Sequence, residues 1–126
     1  MTSYTFDSNI IIDALAGYGP AREEIRRAVR LHTQVWVSRV VCIEVMSKGG
    51  DEALARAQVL LSGFGVDELD GDIAARAAAL RRDRPRLKSS DAIILASAQV
   101  HGRILISRNI KDFPANMPGV RVPYIL

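Results

Sequence analysis

The sequence contains a single cysteine, Cys42, and two histidines among its 126 residues. One cysteine cannot form an internal disulfide, and no CxxC pair or cysteine–histidine cluster is present. A disulfide-stapled fold and a structural zinc site are therefore excluded. The reducing cytoplasm is the compartment that best fits this cysteine usage.

Long hydrophobic runs are also missing. The apolar run Val40 to Ile43 is far shorter than the roughly 20 residues needed to cross a bilayer. Met1 is followed at once by polar and acidic residues, unlike a signal peptide. We therefore expect a protein that neither spans a membrane nor is secreted. P-loop, GxGxxG, HExxH and GxSxG patterns are absent too, which weakens nucleotide-binding and acyl-transfer interpretations.

The composition that is present is that of a globular domain. Apolar residues make up 48% of the chain and charged residues 25%, which is enough to bury a core. The length fits one domain spanning residues 1–126. A net charge of +3 suits a polyanionic partner without demonstrating one.

Strand and helix signals alternate along the chain. This alternation predicts an α/β fold with an open, mostly parallel sheet flanked by helices. The predicted strands are Ser3 to Phe6, Gln34 to Val37, Phe64 to Leu69, Ile104 to Ile106 and Val120 to Val122. The predicted helices are Ile10 to Leu15, Pro20 to His32, Arg39 to Lys48, Asp51 to Leu61, Gly71 to Arg82 and Asp91 to His101, the last capped by Ser89 or Ser90.

Two acidic residues fall where an α/β sheet places its binding crevice, outside the carboxyl ends of the strands. Asp7 directly follows the first predicted strand, although Asp7 or Ser8 could equally cap the next helix. Glu44 is predicted to share the core-facing apolar stripe of a helix that follows the second strand. A carboxylate on such a face needs a partner, and a salt bridge to Lys48 would be the ordinary explanation.

Two further acidic positions lie in the second half of the chain. Asp91 falls in the first turn of its predicted helix, where a negative charge also favours the helix dipole. Asn109 and Asp112 follow the Ile104 to Ile106 strand, and by themselves they are typical of a polar turn before Pro114.

Taken together, these acids predict a metal site. Carboxylates that converge repel one another unless a cation is present. An all-oxygen ligand set favours Mg²⁺ or Mn²⁺ over zinc. Such ions typically act on phosphates, which indicates nuclease chemistry. The candidate acids are Asp7, Glu44, Asp91 and Asp112.

A basic cluster precedes Asp91, and it has two interpretations. Its cations could complement the C-terminal dipole of a solvated helix, or they could contact phosphates of a nucleic acid. The candidate RNA-binding residues are Arg81, Arg82, Arg84, Arg86 and Lys88.

The order and spacing of four blocks resemble a PIN domain of the VapC type, nearly from end to end. The blocks are Phe6-Asp7-Ser8-Asn9, the helix bearing Glu44, Asp91 to Ala96, and Ser107 to Phe113. The resemblance implies a Rossmann-like three-layer sandwich. It also implies an endoribonuclease that uses Mg²⁺ or Mn²⁺ to cleave structured RNA, often tRNA or ribosomal RNA.

The resemblance implies a role for each site residue. Asp7 and Asp91 would be the principal metal ligands, and Glu44 would complete the site and help position the attacking water. Ser8 and Asn9 would support Asp7. Many relatives carry aspartate where this chain has Asn109, so either Asn109 or Asp112 fills the fourth acidic position. The resemblance further implies a homodimer and a VapB-type antitoxin that inserts a segment into the crevice.

Two other functions compete with this interpretation. A catalytically degenerate PIN-like domain could bind RNA or protein, with its acids serving as helix caps. A haloacid-dehalogenase-like phosphatase could use Asp7 as nucleophile, but that site needs a second acid where this chain has Asn9. His32 and His101 lie toward predicted helix ends and are interpreted as surface or packing residues.

Overall fold

Five short strands form one sheet in the computed structural model, which describes residues 2–31 and 34–126. All pairings are parallel, and the order is β3-β2-β1-β4-β5. The chain leaves β1 toward one edge and later returns to the other side of β1, so the sheet has a switch point between β1 and β4. The strands are β1 (Tyr4–Phe6), β2 (Val35–Ser38), β3 (Gly65–Asp67), β4 (Ile104–Ile106) and β5 (Val120–Arg121).

Helices connect and flank these strands. Helix α6 packs against β1, β2 and β4, and α5 packs against α6, whereas α1 contacts α2 and α3. None of the helices in the described ranges is long and apolar enough to cross a bilayer. The helices are α1 (Ser8–Leu15), α2 (Gly19–Arg30), α3 (Arg39–Met46), α4 (Asp51–Leu61), α5 (Gly71–Asp83) and α6 (Ser89–Val100).

The core lies between the sheet and the helices. All three residues of β1 are buried, as expected for a parallel strand covered on both faces. Phe6 is fully buried and meets Phe64 edge to face, with ring centroids 5.6 Å apart. Ile94 of α6 and Leu105 of β4 are also fully buried. The central strands are thus fixed by packing, which holds their carboxyl ends in place.

The predicted fold class and all eleven predicted elements are confirmed, with differences at their ends. Helix α1 begins at Ser8 because Asp7 caps it. Helix α3 ends at Met46, earlier than predicted, and Gly49 turns the chain with a φ of 74°. The predicted extension of α2 to His32 lies outside the described residues.

The predicted cap of α6 is wrong. The helix begins at Ser89, its N-cap residue is Lys88, and no side chain caps it. The buried Leu87 anchors the preceding turn, and Arg81 Nε donates a hydrogen bond to the Leu87 carbonyl oxygen at 2.9 Å. This turn sets where the helix starts, and both serines are then inside it.

Two buried acidic residues of the fold are neutralised by arginines. Glu24 of α2 is 5% exposed and accepts paired hydrogen bonds from both Arg27 and Arg121. Burial opposes ionisation, but the bonds from Arg121 and Arg27 outweigh it and hold the pKa of Glu24 below its ordinary value. Asp67 of β3 pairs with Arg103. Each of these two buried carboxylates therefore has a cationic partner.

The packing predicts a contrast between two apolar truncations. Ile94→Ala should lower the free energy of unfolding by about 2–5 kcal/mol, because it leaves a cavity beneath the sheet. Val59→Ala should change it by less than about 0.5 kcal/mol, because Val59 on α4 is 75% exposed. Urea unfolding followed by circular dichroism measures both. Equal losses for the two variants would contradict this placement of the core.

Candidate active site

A cleft of about 580 Å³ lies at the carboxyl ends of the strands, at the switch point between β1 and β4. It brings together all four acids predicted from the sequence, together with both supporting residues that follow Asp7 and one residue of the basic cluster. The residues lining it are Asp7, Ser8, Asn9, Glu44, Lys88, Ser90, Asp91, Arg108, Asn109, Ile110, Lys111 and Asp112.

Asp7 is the most enclosed of these acids, with 3% of its surface exposed. Its Oδ1 accepts a hydrogen bond from the Ser8 backbone N–H at 2.7 Å, so Asp7 does cap α1. Its Oδ2 accepts from Ser107 Oγ at 2.7 Å and from Asn9 Nδ2 at 3.3 Å. Burial raises the pKa of Asp7, the bonds from Ser107 and Ser8 oppose this, and nearby Glu44 raises it further. Capping and membership of the site are thus compatible.

Ser107 is a supporting residue that the sequence analysis did not single out. Its hydroxyl donates to Asp7 and accepts hydrogen bonds from the Asn109 backbone N–H at 3.0 Å and from Asn9 Nδ2 at 3.3 Å. It is fully buried. Its position in the sequence could have indicated this role, because Ser107 is the first residue after β4 just as Asp7 is the first residue after β1. This one hydroxyl joins the two strand ends that define the cleft.

Glu44 projects from α3, whose buried residues are Val41, Cys42 and Val45. Its side chain is half-buried, at the edge of the apolar stripe and not within it as predicted. Glu44 Oε1 is buried without a hydrogen-bond partner in the described chain. Among the described residues, Lys48 forms no ion pair with Glu44, so the predicted salt bridge is absent from this structure.

Asp91 lies in the first turn of α6, as predicted. Burial raises the pKa of Asp91, the negative charges of Asp7 and Asp112 raise it further, and Lys88 and Arg84 oppose the effect. The net shift is upward, so burial and the neighbouring acids outweigh the two cations at Asp91.

Asn109 and Asp112 both line the cleft and are hydrogen-bonded to each other. Asn109 Nδ2 donates to Asp112 Oδ2 at 3.0 Å, and the Asp112 backbone N–H donates to Asn109 Oδ1 at 3.4 Å. Both residues remain candidates for the fourth acidic position.

The predicted basic cluster divides into residues with different surroundings. Arg81 is tied to the turn before α6, as described above, and Arg84 Nη2 lies 3.8 Å from Asp112 Oδ1. Lys88 lines the cleft, whereas Arg82 and Arg86 are exposed. Of these five candidate residues, Lys88 is the one that lines the cleft.

The chemistry of the cleft suits a hard divalent cation, because its candidate ligands are carboxylate oxygens and one of them, Glu44 Oε1, is buried without a partner. Within residues 2–31 and 34–126, no three acidic, histidine or cysteine side chains are grouped so as to hold an ion together. Mg²⁺ in proteins usually keeps several waters and takes one or two carboxylates. The residues fit an ion held in that manner.

Comparison with known proteins agrees with this geometry. The PIN domain family matches residues 4–115. A chain in a toxin–antitoxin complex from Klebsiella pneumoniae is 39% identical, with a TM-score of 0.87 over 98% of this chain and 99% of that one. No curated protein sequence matches significantly.

More distant structures share the fold. VapBC2 from Rickettsia felis, bound to a promoter DNA fragment, includes a chain that is 17% identical, with a TM-score of 0.79 over 94% of this chain and 96% of that one. A chain of FitAcB from Neisseria gonorrhoeae is 18% identical, with a TM-score of 0.77 over 98% and 99% of the two chains. The family match, the parallel sheet and the acidic cleft at its switch point lead to one conclusion: the chain belongs to the PIN domain family.

Proposed function

We propose that this protein is a divalent-metal-dependent endoribonuclease, and that it acts as the one-domain, cytoplasmic toxin of a type II toxin–antitoxin pair. One observation carries the proposal: among the described residues, no arginine fork like those that neutralise Glu24 is present at the four acids of the cleft. Burial and mutual repulsion instead raise the pKa of both Asp7 and Asp91. Such a cluster is stabilised by a bound cation.

Asp7 and Asp91 would be the principal ligands of a Mg²⁺ or Mn²⁺ ion, with Glu44 and either Asn109 or Asp112 completing the site. Such an ion would supply an activated water and charge stabilisation at a phosphodiester. Ser107 and Asn9 hold the Asp7 carboxylate in one orientation. Glu44 Oε1, which is unpartnered, can accept a hydrogen bond from the attacking water and orient it.

The partners of this protein are part of the same proposal. A toxin role and an antitoxin partner are supported by the similarity to the chain from the Klebsiella toxin–antitoxin complex, and the VapB type of that antitoxin follows from the resemblance to VapC-type PIN domains. An RNA substrate, with tRNA or ribosomal RNA as the first candidates, and a homodimer follow from the resemblance to VapC-type PIN domains. Lys88 at the cleft and the exposed Arg82 and Arg86 would attract the RNA backbone.

A degenerate PIN domain remains the competing function, favoured by the absence of a three-ligand group in the described chain. Isothermal titration calorimetry distinguishes the two, because a degenerate site would bind no Mn²⁺ at any accessible concentration. The phosphatase interpretation has less support, since Ser8, Asn9 and Ser107 all donate to the carboxylate that would have to act as nucleophile.

Removing either principal ligand should abolish RNA cleavage. We expect Asp7→Asn and Asp91→Asn to lower the cleavage rate at least about 100-fold, because each takes away a charge that a metal ion would use. EDTA should do the same to the unmodified protein. Cleavage of end-labelled RNA, followed on denaturing gels, is the measurement.

The matched control for this experiment is Asp51→Asn, which removes an exposed carboxylate at the start of α4, outside the cleft. This variant should cut at the rate of the unmodified protein. If the unmodified protein and both cleft variants cut RNA equally well, the activity is a contaminant and the proposal is wrong.

The raised pKa of Asp91 also predicts that the site destabilises the metal-free fold. Since its pKa is higher in the folded than in the unfolded state, the free energy of unfolding falls as pH rises through the window between the two values. Asp91→Asn should therefore be more stable than the unmodified protein at pH 7 in EDTA. Its advantage should shrink toward pH 4, where the carboxyl is increasingly protonated.

Urea unfolding at several pH values, with and without Mg²⁺, measures this effect. Mg²⁺ should stabilise the unmodified protein more than the variant, because a ligand stabilises the state that binds it. A helix-dipole role for Asp91 predicts the opposite sign. A variant that is less stable at pH 7 would therefore contradict the electrostatic account of the cleft.

A further inference from the structure

An ion-pair cluster lies at the rim of the cleft, outside the set of acids discussed above. Arg108 Nε donates to Asp13 Oδ2 at 2.6 Å, and Arg108 Nη2 donates to Asp13 Oδ1 at 3.0 Å. This is a two-point fork between the loop after β4 and helix α1. Arg108 also lines the cleft, and the fork fixes its guanidinium against Asp13.

The carboxylate that holds Arg108 is itself fixed. The Asp13 side chain is 12% exposed and accepts a hydrogen bond from Tyr124 Oη at 2.6 Å. The ring of Tyr124 packs edge-on against Tyr18, with centroids 5.0 Å apart. Burial opposes ionisation of Asp13, but the bonds from Arg108 and Tyr124 outweigh it, and its pKa is lowered. Asp13 is therefore a charged anchor held between α1 and the C-terminal segment.

The fork leaves part of the guanidinium available. It engages Nε and Nη2 and leaves Nη1 outside the pair. The Arg108 side chain is 29% exposed. Its backbone lies between Ser107 and Asn109 in the loop that supports Asp7, and its N–H faces Asn9 Oδ1 at 3.4 Å. A ligand in the cleft can thus meet an arginine whose orientation is already set.

A polyanionic substrate needs such a group here. The acids of the cleft repel RNA phosphates, and a cation close to them would offset that repulsion at short range, in addition to the divalent ion of the proposed function. The other cations lining the cleft, Lys88 and Lys111, are exposed point charges on flexible stems. A planar guanidinium held by a carboxylate is pre-organised to donate to phosphate oxygens.

We propose that Arg108 contacts a phosphate of the RNA in the cleft, and that Asp13 is its positioning residue. This rests on the proposed nuclease function and adds the group that binds the substrate backbone beside the acids. The alternative is a purely structural fork that ties the loop after β4 to α1.

The test separates a phosphate contact from a structural tether through the salt dependence of binding. The probe is a short fluorescein-labelled single-stranded RNA of mixed sequence, and its affinity for the Asp7→Asn protein in Mg²⁺ is measured by anisotropy over a range of KCl concentrations. Adding Arg108→Ala should weaken binding about tenfold. It should also reduce the slope of log affinity against log salt by about 0.7, as for one lost phosphate contact on a single strand.

Companion variants keep the test decisive. Arg108→Lys should retain the slope, because it keeps the charge. Asp13→Asn should also retain it, while lowering the cleavage rate in the otherwise unmodified protein, because the guanidinium is no longer held. If Arg108→Ala does not fold, Arg108→Gln supplies the same measurement, since its amide can still donate to Asp13.

Arg121→Ala is the matched control, because Arg121 makes the same kind of fork with Glu24 and does not line the cleft. It should leave the slope unchanged. If Arg108→Ala and Arg108→Gln lower thermal stability but leave the slope unchanged, Arg108 is a tether and this inference is wrong. If the unmodified protein neither binds nor cleaves RNA, the proposed function itself fails and the inference fails with it.

Discussion

The hydrogen bond from Ser107 to Asp7 is the interaction on which the rest of the site depends. It joins residues 100 positions apart at the ends of neighbouring strands. The carboxylate it holds is buried, and burial alone would drive that group toward its neutral form. Among the described residues, Asp7 has hydrogen-bond donors that orient its carboxylate and no ion-pair partner that compensates its charge. This arrangement makes the cleft receptive to a positive ligand.

The acids with shifted pKa values fall into two groups whose shifts have opposite directions. Glu24 and Asp13 are paired with arginines, and their pKa values are lowered. Asp7 and Asp91 share a cleft with other acids, and their pKa values are raised. All four residues are at least partly buried, so the difference in pKa comes from the charged groups that the fold places beside them. Ionisation of the first pair favours the folded state, whereas ionisation of the second pair opposes it, and such destabilising groups are common at functional sites.

Much of this arrangement could be predicted from the sequence. The alternation of apolar runs indicated the elements, because burial on both faces leaves a readable pattern in short parallel strands. The four acids could be assigned to one cleft, since each was expected at the end of a strand or on a helix that starts near a strand end. Asp91 does lie in the first turn of α6, and Asp7 does cap α1. Both residues also line the cleft, because a carboxylate at a helix terminus can belong to a site as well.

Other features could not be predicted, for reasons that are also physical. The position of Ser107 after β4 is visible in the sequence, but its hydrogen bond to Asp7 depends on the pairing of β4 with β1. The fork between Arg108 and Asp13 spans 95 positions, and nothing local distinguishes that arginine from Arg86. The start of α6 was misjudged because a buried leucine outside the helix, and not a capping serine, fixed it.

The switch point of the sheet has a consequence for how the protein comes into being. Strand β1 leaves the ribosome well before its neighbour β4, and Ser107, whose hydroxyl holds Asp7, is translated 100 residues after it. The candidate site therefore cannot assemble until the chain has been made through β4 and Ser107.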